Sequence, residues 1–566
     1  MVSVSKRPII YQVMTRLFGS DSKQMCRFGS ANENGCGKMA DFTQKALDQI
    51  RQMGCTHVWY TGLLEHATQT DYSSYGIAKD HPAVVKGRAG SPYAVKDYYD
   101  IDPDLARHVP LRMKEFENLI RRTHRAGLKV VMDFVPNHVA RQYHSDAKPE
   151  GVVDLGEGDD MSKAFSPQNN FYYVPGQQFC PQFPLGDAKG RQYIEIPARA
   201  TGNDCFGASP TKNDWYETVK LNYGIDYLNG HETHFDPIPD TWNKMLDILL
   251  FWASKQVDAF RCDMAEMVPC EFWHWAIAKV KEQHPDVQFI AEVYNPNEYR
   301  NYIQHGGFDY LYDKVGMYDT LRSVVCGHSA SCITQSWQQV DDIHPHMLNF
   351  LENHDEQRLA SDFFAGNGMK GRPALLVSAL MRSNPFMIYF GQELGERGMD
   401  EEGFSGRDGR TTIFDYWTID TISRWRNGGA FDEKLLTEEE KSLRNYYQRV
   451  LHLCNDDETL REGEFFDIMY ANYDNAMMNT HRQYAFLRKS QKALILVVAN
   501  FDEQACTSNI ILPRHAFDHF FLPINLRRRR ALDLLTGKQE THRLHPNYPI
   551  ELVLPPFGGK VLKFNI

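Results

Sequence analysis

Eight apolar, β-rich segments punctuate the first 390 residues, and helix-patterned stretches separate them. They are PIIYQVMTRLF (8–18), THVWYTGL (56–63), LKVVMDFV (128–135), VDAFRCD (257–263), VQFIAEVY (287–294), FDYLY (308–312), MLNFLE (347–352) and PFMIYF (385–390). Continuous apolar strands alternating with helices indicate a parallel sheet covered on both faces. Eight of them suggest closure into an α/β fold, the (β/α)8 TIM barrel.

The intervening segments carry the helical period. Between the second and third strands, Pro110 can open a helix whose Phe116, Leu119, Ile120 and Thr123 share one face, and Gly127 supplies a left-handed stop. Before the fourth strand, Asp240 is placed to cap a helix carrying Trp242, Met245, Leu246, Leu249 and Ala253 on one face. One spacing is abnormal. About 120 residues separate Val135 from Val257, far more than a loop and helix need, and the first half is rich in Gly, Pro, Asp, Asn and aromatics. Residues 140–216 are therefore read as an irregular domain inserted after strand 3, on the face where a barrel keeps its site. After about residue 456 the pattern becomes short alternating strands with turn residues between them, an all-β sandwich over 456–566. Residues 1–139 and 217–455 then form the two parts of the barrel domain.

Bulk properties narrow the partners. The chain of 566 residues has a net charge of -11, which argues against a nucleic-acid partner. Its basic run, Arg527 to Arg530, is read as a solvated turn or a neutraliser of nearby acids. No stretch approaches the length of a membrane span, and the N-terminal segment MVSVSKRPIIYQVM has no signal-peptide h-region. Eleven cysteines scattered without CxxC pairs fit reduced thiols, so the expected location is the cytoplasm. The histidines of His231-Glu232-Thr233-His234 are three apart, not the four of a zinc-binding helix, and this segment is read as a surface loop. The sequence leaves the oligomeric state and any metal ligands unassigned.

Three acids stand at or just past strand ends: Asp263, Glu292 and Asp355. In a barrel the C-terminal strand ends form the rim of the active site, so all three can face one pocket. One acid at a strand end is commonly a helix cap or half of an ion pair. Three together, with Arg261, His138 and His354, argue for a site that breaks glycosidic bonds, which requires paired carboxyls. Arg261 lies two residues before Asp263, on the same strand face, and favours the ionised form a nucleophile needs. Glu292 follows Phe289, Ile290 and Ala291, and an apolar approach with two acids nearby predicts a raised pKa and a general acid.

At these residues the chain resembles the α-amylase superfamily, glycoside hydrolase family 13. Asp133-Phe134-Val135-Pro136-Asn137-His138 resembles the family's first conserved region and Phe260-Arg261-Cys262-Asp263 its second. Ala291-Glu292-Val293 resembles the third, and Phe350-Leu351-Glu352-Asn353-His354-Asp355 the fourth. The resemblance covers essentially the whole chain. It implies that Asp263 is the nucleophile, Glu292 the acid/base and Asp355 the transition-state stabiliser, with Arg261, His138 and His354 binding the sugar. Tyr93 resembles the family's aromatic platform for that sugar. Asp97 and Asp133 are read as structural partners of backbone or arginine, and Arg358 is placed within reach of either the substrate or Asp355.

Two departures stand out. Many starch-acting members carry Lys-His three and four residues past the nucleophile, where this chain has Glu266 and Met267. The family's calcium site often uses that histidine's carbonyl with the Asn of the first region, here Asn137, so a structural calcium stays an open expectation. No cofactor is needed for the chemistry. Phe171, Tyr172, Tyr173, Trp215, Tyr216 and the loop GERGMDEEGFSGRDGR are candidates to shape the leaving-group subsites. The activity implied is that of a retaining α-glucan hydrolase cutting α-1,4 bonds of maltodextrin, starch or glycogen. A 4-α-glucanotransferase or α-glucosidase on the same scaffold, and more remotely a noncatalytic carbohydrate-binding homologue, are the alternatives.

Overall fold

The computed structural model describes residues 6–524 and 526–566. All eight apolar segments become barrel strands: β1 (Ile9–Met14), β2 (His57–Thr61), β3 (Lys129–Phe134), β4 (Ala259–Cys262), β5 (Gln288–Ala291), β6 (Tyr310–Tyr312), β7 (Met347–Phe350) and β8 (Phe386–Tyr389). They pair in parallel in sequence order, and β8 returns to β1 with Ile9 opposite Phe386 to close the barrel. Successive side chains on a strand point to opposite faces. Ile10, Trp59, Val131, Ala259, Ile290, Tyr312, Leu348 and Met387, one from each strand, accordingly form a separate cluster that fills the barrel interior. Ile9, Tyr11, Val58, Val130, Phe260 and Phe289 face the other way, into the larger layer between sheet and helices.

The helix between β2 and β3, α1 (Arg112–Arg125), buries Phe116, Leu119, Ile120 and Thr123 as the spacing predicts. Pro110 does not open it directly but sits in a short 3-10 turn, Val109–Leu111, just before it. Gly127 ends the connection at φ 76°, a left-handed conformation that costs glycine little. The helix before β4, α2 (Asp240–Ser254), also buries the expected face. Its cap differs from expectation: Pro239 is the N-cap and Asp240 the first helical residue, where its carboxylate meets the helix dipole and pairs with Lys244 at 2.8 Å.

Between β3 and α2 the chain forms only short strands. His138–Ala140 pairs antiparallel with Thr218–Lys220, a neck from which the irregular segment projects. Phe171, Tyr172 and Tyr173 are buried within that segment, which makes them its core and not a binding surface.

The C-terminal strands form two antiparallel sheets. One has six strands in the order Glu464–Asp467, Gln483–Lys489, Ala493–Asn500, Gly558–Asn565, Arg528–Asp533, Gln539–Arg543, and the other pairs Cys506–Ile510 with Ile550–Leu554. The pair Arg528–Asp533 and Gln539–Arg543 was not visible in the apolar pattern. Most of the basic run therefore lies in a strand and not in a turn, with Arg529 opposite His542 and Arg530 opposite Thr541. Among the described residues no helix is long and apolar enough to cross a membrane.

Candidate active site

The inner row of each strand runs upward into the site. On β4 the row Ala259, Arg261 reaches Asp263; on β3, Val131 leads to Asp133; on β5, Ile290 leads to Glu292. A two-residue period fixes these directions, so the residues that fill the barrel and those that arm its mouth share one face. Asp355 comes from the loop after β7, where Asn353 Oδ1 accepts from the Asp355 and Glu356 amides at 2.9 Å and fixes the turn.

Arg261 is the hub. It is completely buried, with Nη1 2.7 Å from Asp263 Oδ1 and 3.5 Å from Asp133 Oδ1. Nη2 lies 2.7 Å from Glu292 Oε2, an ionic contact in which no N–H is well aimed at the oxygen. Its guanidinium carbon sits 5.2 to 5.5 Å from the ring centres of Trp59, Tyr93 and Tyr312, so aromatic rings enclose it and shut water away.

A cavity of about 570 Å³ opens above this hub, within the usual range of ligand sites of roughly 300 to 1,000 Å³. Tyr93, His138, Trp215, Asp263, Glu292 and Asp355 all line it. Arg261 and His354 lie one layer behind. The His354 ring meets Tyr93 Oη at 2.6 Å, Gln12 Nε2 at 2.7 Å and Asp355 Oδ2 at 3.0 Å, and stacks on Tyr93. Its position supports Tyr93 and Asp355 instead of offering a nitrogen to the cavity. Burial, then the ammonium groups of Lys220 and Lys86, push His138 down to about 3, so it meets a ligand as a neutral ring.

The surroundings of two acids differ from the expectation. Burial pushes the Asp263 carboxyl well above the usual carboxylate range; Arg261 pulls it down, and Glu292, Asp355 and Asp133 push it up again. The guanidinium effect is present but outweighed, because closing the barrel buries Asp263 and brings the acids of neighbouring strands beside it. Glu292 does not meet an apolar environment. Its Oε1 accepts from Tyr294 Oη at 2.5 Å and its Oε2 from the Met264 amide at 2.7 Å. The apolar residues before it stay in the strand. Asp355 is half-exposed at the cavity, and although burial raises its carboxyl, His354, Arg261 and Arg410 together hold it below the usual value.

Several partners were not singled out from sequence. Tyr294 was missed although it stands two residues past Glu292, the spacing that puts both on one face. Met264 adopts a left-handed φ of 44° directly after Asp263, which turns its N–H toward Glu292. Such a conformation costs a non-glycine residue on the order of 1–3 kcal/mol. Lys86 and Glu217, paired at 3.0 Å on the cavity wall, are far apart in sequence and carried no signal. Arg358 reaches neither ligand space nor Asp355: it pairs with Glu352 at 2.9 Å and donates to Thr411 and the Phe390 carbonyl. Asp97 accepts from Ser145 and the amides of Tyr99, Asp146 and Ala147, while Asp133 accepts from Trp59 Nε1 at 3.0 Å.

Asn137, named in the calcium expectation, already has a cationic partner. Its Oδ1 accepts from Lys220 Nζ at 2.8 Å, and the same ammonium lies 2.6 Å from Asp204 Oδ1. A buried lysine thus already holds these two oxygens together, and the residues around Asn137 do not fit a divalent ion.

Tyr294 offers a direct check on the geometry. Tyr294→Phe removes one hydrogen bond to the Glu292 carboxyl, worth about 1 kcal/mol, and is expected to lower kcat by roughly 5- to 10-fold with little change in KM. Steady-state kinetics on maltoheptaose read this, and an unchanged kcat would remove Tyr294 from the site.

Strand ends that bring three carboxyls to one cavity, two of them joined by one guanidinium, define the class: a barrel enzyme built around paired acids. A sequence model described as the alpha amylase catalytic domain matches residues 25–463, and the chain belongs to that family. It is 26% identical over 384 residues to Alpha-amylase 3 of Dictyoglomus thermophilum, covering 64% of this chain and 66% of that one. To Alpha-amylase MalA of Haloarcula japonica it is 24% identical over 401 residues, 70% of this chain and 45% of that one. The chain thus spans less than two thirds of the length of these relatives. The structure is similar to that of a maltogenic alpha-amylase, AmyB, from Thermotoga neapolitana, with a TM-score of 0.61 at 19% identity over 99% of both chains.

Proposed function

We propose that the protein is a retaining glycoside hydrolase of the α-amylase type, cleaving α-1,4-glucosidic bonds of maltodextrin, starch or glycogen. The observation that carries this reading is Arg261, whose guanidinium touches Asp263 and Glu292 at 2.7 Å each beneath a cavity that Asp355 also lines. One guanidinium spanning two carboxyls favours the close separation of about 5 to 5.5 Å used in covalent, retaining hydrolysis over the wider gap that holds a water.

In this mechanism an Asp263 oxygen attacks the anomeric carbon while Glu292 gives its proton to the departing glycosidic oxygen. A covalent glycosyl-Asp263 ester results. Positive charge building on the sugar ring favours the ionised Asp263 that attacks it, against the burial that raises this carboxyl in the free enzyme. Water then enters, Glu292 takes its proton, and the hydroxide attacks the anomeric carbon and frees Asp263. Asp355, kept ionised by His354, holds the sugar hydroxyls and stabilises the positive ring. Tyr93 and Trp215 offer apolar faces to the C–H surfaces of glucosyl units. All eleven cysteines are free thiols, which supports a reducing, cytoplasmic location.

A time course of products from maltoheptaose and from glycogen, with the anomer of the new reducing end followed by NMR, tests the reading. Mixed short maltooligosaccharides released as α-anomers are expected. Chains longer than the substrate would identify a glucanotransferase, and glucose alone an α-glucosidase. No cleavage of either substrate would overturn the proposal.

A further inference from the structure

A second cluster of acids lies away from the catalytic cavity, where the hairpin that follows β2 meets the chain leading into the inserted segment. Glu65 stands on the strand Leu64–His66, opposite Asp97 on Val95–Ile101, in an irregular register. Asp100 is on the same partner strand, and Asp146 comes from the chain just past His138–Ala140. One carboxylate oxygen from each of Glu65, Asp100 and Asp146 lies within 4.8 Å of the others. The decisive residue is Glu65. It is 1% exposed, and neither of its carboxylate oxygens has a hydrogen-bond partner. A buried carboxylate without a partner costs several kcal/mol, and native chains do not leave one in place without compensation.

We propose that Glu65, Asp100 and Asp146 bind a hard divalent cation, calcium. The donor set is entirely carboxylate oxygen, the ligand type of calcium and magnesium, and its irregular arrangement suits the flexible coordination of calcium better than a strict octahedron. The local charge agrees. Three carboxylates face one guanidinium, Arg112, which donates to Asp100 Oδ2 from Nε at 2.8 Å and lies 4.0 Å from Asp146. Carboxylates outnumber the one guanidinium among these residues, so the group carries negative charge that a divalent cation can balance. Asp97 is not a ligand, because Ser145 and three amides already saturate its oxygens. Those same bonds fix the Asp146 amide at 2.8 Å from Asp97 and so hold the third ligand in place.

The site has a structural consequence for catalysis. Val95 begins the strand that carries Asp97 and Asp100, and Tyr93 stands two residues before it. A cation joining that strand to the entry of the inserted segment would brace the Tyr93 wall of the cavity from behind. It is distinct from the neighbourhood of Asn137, where Lys220 already supplies the positive charge.

Isothermal titration of the full chain, freed of metal with a chelator and then given calcium chloride or magnesium chloride at pH 7.5, tests the proposal. One equivalent of calcium is expected to bind and to raise the thermal midpoint. Glu65→Gln and Asp146→Asn are each expected to weaken binding at least tenfold and to abolish the thermal shift. Asp146 is exposed, so its variant folds even if the buried substitution does not. Magnesium binding with the same dependence on both residues would support a hard-cation site of the same kind. Absence of binding by the parent chain, or binding that the Asp146 variant leaves unchanged, would overturn it and leave Glu65 as a protonated acid.

Discussion

Asp263→Asn is expected to lower kcat/KM on maltoheptaose by about four orders of magnitude or more while leaving the fold and oligosaccharide binding in place. Losing the proposed nucleophile removes the covalent route altogether, and the residual rate is what positioning and the remaining charges supply. The substitution is isosteric, and its amide oxygen can still accept from Arg261 Nη1, 2.7 Å from the Asp263 carboxylate in the parent. Stability moves the other way. A carboxyl whose pKa is higher in the folded than in the unfolded chain binds its proton more tightly when folded. Its charge therefore opposes folding once the pH exceeds the unfolded value near 4. At neutral pH the Asn variant should be at least as stable as the parent in urea. Activity bought at a cost in stability is what a working carboxylate in a dry pocket implies. A variant that hydrolyses at the parent rate would remove Asp263 from the nucleophile role; one that is unfolded would show the residue to be structural.

The barrel was legible because its strands are buried on both faces and read as apolar runs, and all eight stand where those runs fall. The acids at their ends were legible for a related reason: a strand's period places Arg261 and Asp263 on one face, and the end of the strand points that face at the cavity. What the sequence hid was interaction across distance. Neither Lys220 beside Asn137 nor Lys86 beside Glu217 is foreshadowed by spacing, since each pair is joined only when the chain beyond β3 folds back on the barrel. The strands Arg528–Asp533 and Gln539–Arg543 were hidden because exposed, charged residues alternate with few apolar ones at the edge of their sheet. The burial of Asp263 was misjudged in sign for a physical reason too. A neighbouring guanidinium is visible in the sequence, whereas the desolvation that outweighs it is a property of the closed barrel.

Arg261→Met is expected to lower unfolding free energy at pH 7 by about 3–5 kcal/mol, the usual cost of stripping one partner from a buried ion pair. Methionine fills similar space, so the loss is electrostatic and not a cavity. Asp133, Asp263 and Glu292 would then face one another beneath the rings of Trp59, Tyr93 and Tyr312 without the guanidinium that contacts all three. Because Arg261 pulls the Asp263 carboxyl down, its removal pushes that carboxyl higher still. Two signatures follow. The stability deficit should shrink as the pH falls, because protonation removes the repulsion that the variant can no longer offset. The acid limb of kcat/KM, which reports the free enzyme's essential base, should move to higher pH, with the plateau reduced by roughly a thousandfold. Arg261→Lys keeps the charge but, as a compact ammonium, cannot span Asp263 and Glu292 together, and is expected to recover stability more than rate. Should Arg261→Met keep the parent's pH profile, the guanidinium would be a packing element with no hold on the acids. The paired-carboxyl chemistry would then need a different source for the balance between its two protonation states.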